Sequence, residues 1–153
     1  GLSQIIMLKF ILVVLVPVLV KSDSASFRAC PNGAPAPASV TIQGCSVPPC
    51  ILRRGQTLKA EVRGIVSPVS TENVQAYTRI SLGGVSLGIV MPEELVDACK
   101  VIQCPVEAGV ALNYTFSYPA LYLPILHINV KVRFGLQAGT TQIGCVEFDG
   151  IVL

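Results

Sequence analysis

Leu126-His127-Ile128-Asn129-Val130-Lys131-Val132-Arg133-Phe134 alternates strictly between apolar and polar residues. Leu126, Ile128, Val130, Val132 and Phe134 take one side; His127, Asn129, Lys131 and Arg133 take the other. Side chains of an extended chain point to opposite faces with period two, so this is a half-buried β-strand. Its apolar side offers no hydrogen-bonding group, so whatever covers that side must be apolar too. Pro124 delivers the chain into the strand, and Gly135–Gly139 is expected to turn it away.

The same period recurs on either side. In Thr57–Val66, Leu58, Ala60, Val62 and Val66 oppose Thr57, Lys59, Glu61 and Arg63. In Val74–Leu82, Val74, Ala76, Thr78, Ile80 and Leu82 share a face, as do Val110, Leu112, Tyr114, Phe116 and Tyr118 in Val110–Tyr118. Ser39–Gly44, Cys50–Leu52, the apolar run Val85–Val90 and Thr141–Val152 complete the set. Pro31–Ala38 reads as a loop, Pro48-Pro49 as an extended turn, and Gly55, Pro68–Asn73 and Gly83-Gly84 as turns. Met91–Val106 has room for one helical turn, but Pro92 opens it and Cys99 closes it, so an irregular loop is expected. About seven strands without a convincing helix predict an all-β sandwich.

Of the 153 residues, 52% are hydrophobic and 13% charged, enough for one domain with one core. Met7-Leu8-Lys9, the apolar run Phe10–Val20 and the small polar residues Ser22–Ser26 follow the pattern of a secretory signal peptide. The run falls short of the about 20 residues of a comfortable membrane span. An uncleaved anchor is the alternative. Gly1–Ile6 read as upstream sequence before an initiator Met7. The expected division is 1–24 upstream residues plus signal, and 25–153 a single domain. That domain carries 9 Lys and Arg against 8 Asp and Glu, without a basic stripe, so no nucleic-acid partner is expected. Arg53-Arg54, the one basic pair, reads as a solvated turn.

Six cysteines behind a signal peptide read as a disulfide framework. Cys45-Ser-Val-Pro-Pro-Cys50 and Cys99-Lys-Val-Ile-Gln-Cys104 each close most easily as a local loop, which leaves Cys30 with Cys145. The rival is a four-cysteine zinc site built from the two local pairs. Thiols oxidise in the secretory path, which favours the disulfides.

Catalytic chemistry is not visible. The single histidine, His127, reads as a solvated strand residue. Paired cysteines leave no thiol nucleophile, and neither a Gly-rich phosphate loop nor a G-x-S-x-G elbow appears. Glu93, Glu94 and Asp97 lack the alternating ligand spacing of a calcium loop. An enzyme is not expected, nor a metal or cofactor. Asn113-Tyr114-Thr115 is an N-glycosylation sequon on the outward face of its strand.

Early Cys30, the Cys45/Cys50 pair leading into Ile51-Leu52-Arg53-Arg54-Gly55, the Cys99/Cys104 pair followed by Pro105-Val106, and Cys145 in the last strand form an ordered frame. This frame resembles the ML lipid-recognition family, which includes the Niemann–Pick type C-2 sterol carriers and the mite group-2 allergens. The resemblance runs from Phe27 to Leu153. It implies an immunoglobulin-like β-sandwich of two antiparallel sheets, tied by three disulfides in the pairing above, with the sheets splayed around a lipid. It implies a pocket mouth at Ile89, Met91 and Pro92 on one loop and at Tyr118, Pro119, Leu123 and Pro124 on the opposing one. It implies a deeper lining of Val62, Ile80, Leu112, Tyr114, Phe116, Ile128, Val130, Phe134, Val146 and Phe148. One departure stands out: sterol-carrying relatives often have tryptophan after the last cysteine, and this chain has Val146 and no Trp.

Two functions follow. The first is a secreted monomeric carrier of a sterol, fatty acid or other small apolar lipid, working with a membrane lipid-transfer partner and ending in extracellular fluid or the lysosome. The second is an extracellular interaction module that recognises a protein or microbial glycolipid through its loops. Periodicity does not separate them, because a filled core and a cavity have the same pattern.

Overall fold

The computed structural model describes residues 27–87, 91–119 and 126–153. Among these, nine strands form two sheets. The larger runs in the order β1 (Phe27–Ala29), β9 (Thr141–Val152), β8 (Ile128–Ala138), β5 (Gln75–Leu82) and β6 (Val85–Ser86), with β3 (Cys50–Leu52) also on β9. The smaller is β2 (Ser39–Ile42), β4 (Leu58–Val66) and β7 (Ala111–Tyr118). Pairing is antiparallel except between β3 and β9. The expected all-β, immunoglobulin-like sandwich is present. The strand absent from the sequence reading is β1: three residues are too few to register a period, and its pairing of Phe27 with Phe148 and Ala29 with Val146 makes it a strand.

Several boundaries differ from expectation, each for a local reason. The opening strand begins at Ile128, because His127 has φ 59°, a left-handed conformation that cannot continue a ladder. His127 N–H still donates to the Val152 carbonyl (2.7 Å). The strand then runs through Gly135 to Ala138, and the chain turns at Gly139-Thr140 instead. Gly135 stays in the ladder, paired with Tyr77 and Cys145, and the Tyr77 ring lies over it, where an added Cβ would come within 2.5 Å of the ring. In β4 the alternation breaks at Gly64 (φ 69°), where the register with β7 shifts between Val62 and Ile65. The inward residue is therefore Ile65 (3% exposed), while Val66, expected inside, is 44% exposed. Leu82 and Val110, also expected on inner faces, sit at strand ends and are exposed.

Met91–Val106 is more ordered than a plain loop. It holds one helical turn, α1 (Glu93–Val96), and one 3-10 turn over Ala98–Lys100. Asp97 Oδ1 accepts from Cys99 N–H (3.0 Å), which starts the second turn. All three disulfides expected from the spacing are present: Cys30–Cys145, Cys45–Cys50 and Cys99–Cys104. The first ties β1 to β9 across 115 residues of sequence.

The buried residues fall into two principal clusters between the sheets. One contains Val62, Ile65, Tyr114, Phe116, Phe134, Leu136, Ile143 and Val146, together with Met91, Ile102 and Val106 from the disulfide-bonded loop. The other contains Ile42, Leu52, Ile80, Val130, Val132, Phe148 and Val152. Val40, Leu58, Ala60 and Tyr118 pack against both.

Candidate functional site

The seam between these clusters is not fully closed. A cavity of about 30 Å³ lies between the sheets. The smaller sheet contributes Val40 and Ile42 from β2, Leu58, Ala60 and Val62 from β4, and Phe116 from β7. The larger contributes Thr78 from β5, Val132 and Phe134 from β8, and Val146 and Phe148 from β9. Every described side chain of the lining except Thr78 is hydrocarbon. Small-molecule sites usually occupy about 300–1,000 Å³. The space present is enough for a water or two. Room for a small molecule at this seam would require the two sheets to stand further apart than they do here.

Of the ten residues expected to line the interior, Val62, Phe116, Phe134, Val146 and Phe148 meet at this cavity. Tyr114 belongs to the first cluster, and Leu112 packs against it. Ile80 and Val130 belong to the second cluster, with Ile128 packed against it. The residues missed are Val40, Ile42, Leu58, Ala60, Thr78 and Val132. Their inward positions were legible from the alternation, but which inward residues face a gap is decided by how the two sheets meet.

Of the expected mouth, Ile89, Leu123 and Pro124 lie outside the described residues. Met91 is 8% exposed and sits within the first cluster, while Pro92 is half-buried beside it. Tyr118 is half-buried and Pro119 exposed, where β7 ends. The Thr57 hydroxyl donates to the Pro119 carbonyl (2.9 Å) and holds that end against β4. An aromatic row leads inward from there: Tyr118 to Phe116 (6.2 Å between ring centroids), Phe116 to Phe134 (5.0 Å) and Phe134 to Tyr114 (5.4 Å, nearly stacked). Burial pushes the Tyr114 phenol up from 10.0 to about 12.

A much larger concavity, about 790 Å³, lies on the outer face of the larger sheet. Its chemistry is opposite: Arg79, Lys131, Arg133, Glu147 and Asp149 line it. Glu147 is buried there and accepts from Arg133 (3.1 Å) and Arg28 (3.5 Å), with Lys131 at 3.7 Å. Arg28 also donates to both oxygens of Asp149 (3.0 and 2.9 Å), which lowers the aspartate's pKa and raises its own. This charged network is no seat for an apolar molecule, so volume alone does not select the site.

A family model described as the ML domain matches residues 24–152. The chain belongs to the ML-domain family. Among ML relatives, the mite group 2 allergen Lep d 2 of Lepidoglyphus destructor is 27% identical over 111 residues, covering 72% of this chain and 75% of the allergen. The NPC intracellular cholesterol transporter 2 of Bos taurus is 26% identical over 99 residues, 64% of each chain. Among solved structures, a Niemann-Pick type C2 protein from Japanese carpenter ant superposes with a TM-score of 0.70 at 17% identity, covering 83% of this chain and 98% of that one. Chicken MD-1 complexed with lipid IVa superposes at 0.52 and 15% identity, covering 80% of this chain and 85% of MD-1. In this ML domain Val146, in the position after the last cysteine, lines the interior cavity and pairs with Phe134. Asn113, the sequon residue, is exposed, and its Oδ1 accepts from the Gly64 N–H (3.2 Å).

Proposed function

We propose that this protein is a secreted carrier of small apolar lipids, and that it works by burial. The observation that carries the reading is the seam at the junction of the two core clusters, lined almost wholly by hydrocarbon. Separating the sheets there exposes Val, Ile, Leu, Ala and Phe, which a lipid would cover again. Burial contributes about 25 cal/mol per Å² of apolar area removed from water, before the costs of association and of opening the seam. Two similar proteins support the class: one is an intracellular cholesterol transporter, and chicken MD-1 was solved with lipid IVa. Three disulfides suit an oxidising compartment, and the exposed Asn113 side chain suits a glycan. Attachment at Asn113 Nδ2 would leave Oδ1 free to accept from Gly64.

The test is native mass spectrometry of the protein secreted from eukaryotic cells, followed by solvent extraction and titration with fluorescent sterol and fluorescent fatty acid. An extractable lipid and saturable, mutually exclusive binding are expected. A protein that carries no lipid and binds neither probe is no carrier. The exposed loops would then be the surface to examine for a protein or glycolipid partner.

A further inference from the structure

Thr78 is the exception in the cavity. It lies in the middle of β5, opposite Phe134 on β8, between the buried residues Ala76 and Ile80 on the same face. Its hydroxyl oxygen is buried and has no hydrogen-bond partner. No other described side-chain polar atom is left in that condition. A buried hydroxyl without a partner is costly, and threonine is nearly isosteric with valine, so a plain core would be served better by valine here. A trapped water does not resolve this. A buried water needs two to four polar partners, and the other described lining side chains have none to offer.

We propose that Thr78 is the hydrogen-bonding anchor for the buried end of the ligand, and that this end carries an uncharged oxygen: a hydroxyl, ketone or ester. This rests on the lipid-carrier reading and narrows it. A threonine hydroxyl both donates and accepts, so it serves an alcohol or a carbonyl equally. It does not serve an ionised carboxylate. A buried anion needs a cation or several donors, and none of the described residues lining the cavity is charged. Of the larger sheet's cations, Arg79, Lys131 and Arg133 line the outer groove, and Arg28 is bonded to Glu147 and Asp149 of that groove. A fatty acid would therefore lie with its carboxylate away from Thr78, whereas an alcohol or keto lipid would send its oxygen inward.

The experiment compares 1-hexadecanol, hexadecane and palmitate at pH 7.5 as competitors of a fluorescent lipid, on the wild type, Thr78→Val and Thr78→Ser. Thr78→Val is expected to weaken hexadecanol by about threefold to tenfold, the worth of one neutral hydrogen bond. Hexadecane and palmitate should be unchanged, and Thr78→Ser should keep the wild-type preference for the alcohol. The ligand-free Val variant should also melt higher than wild type, which shows that it folds. Equal effects of Thr78→Val on all three competitors, or none on any, would overturn the anchor. A loss for palmitate as large as that for hexadecanol would overturn the neutral-oxygen assignment. If the wild type binds neither fluorescent sterol nor fluorescent fatty acid, the carrier reading itself falls.

Discussion

At the scale of single residues, the interior is defined by what its few polar atoms do. Tyr114 is buried on Phe134, and its phenol titrates near 12 instead of 10.0 because burial disfavours the phenolate. The unfolded chain releases that proton at about 10, the folded protein only near 12. The contribution is thus fully present below pH 10 and is lost as pH rises toward 12. Urea midpoints followed from pH 9 to 12 should fall more steeply for wild type than for Tyr114→Phe, and parallel curves would contradict the assignment. Tyr114 and Thr78 are both inward residues of alternating strands, as the sequence indicates. That one is packed on an aromatic ring and the other is left without a partner was not legible, because partners come from distant strands.

At the scale of elements, Gly64 decides that Ile65, not Val66, continues the inner face of β4. Its φ of 69° favours glycine, and a Cβ there would meet the Ala38 Cβ at 2.5 Å. Asn113 Oδ1 accepts the Gly64 N–H and holds the bulge from the neighbouring strand. Gly64→Ala should cost about 1–3 kcal/mol by chemical denaturation, the range for backbone strain and overpacking. Adding Ala38→Gly should recover the steric part and leave the conformational part. No recovery would mean that the contact with Ala38 does not matter. The alternation of Leu58, Ala60 and Val62 was readable, but its continuation to Val66 was not. A lone glycine in a strand can stay in register or form a bulge, and only the pairing of Ile65 with Leu112 decides between them.

At the scale of the whole molecule, the sandwich is closed by cross-links of unequal reach. Cys30–Cys145 spans 115 residues, the other two span 5 each. By the chain-entropy model the long loop contributes about 4–5 kcal/mol and each short one about 2 kcal/mol. Replacing Cys30 and Cys145 together by alanine should lower the guanidinium midpoint markedly more than replacing Cys45 and Cys50. Equal losses would show that strain or residual structure, rather than loop length, sets the balance.

The amino-acid sequence by itself determined the strand periods and the cysteine frame, and its spacing favoured the pairing of the six cysteines that the structure has. Those are local or combinatorial properties: side-chain alternation needs only neighbours, and two short cysteine spacings leave one remaining pair. Tertiary structure alone decided that β1 is a strand, that β4 changes face at Gly64, and that the seam between the clusters stays nearly closed around one unpartnered hydroxyl. These depend on how two sheets are brought face to face. No periodicity along one strand encodes the gap that remains between it and another.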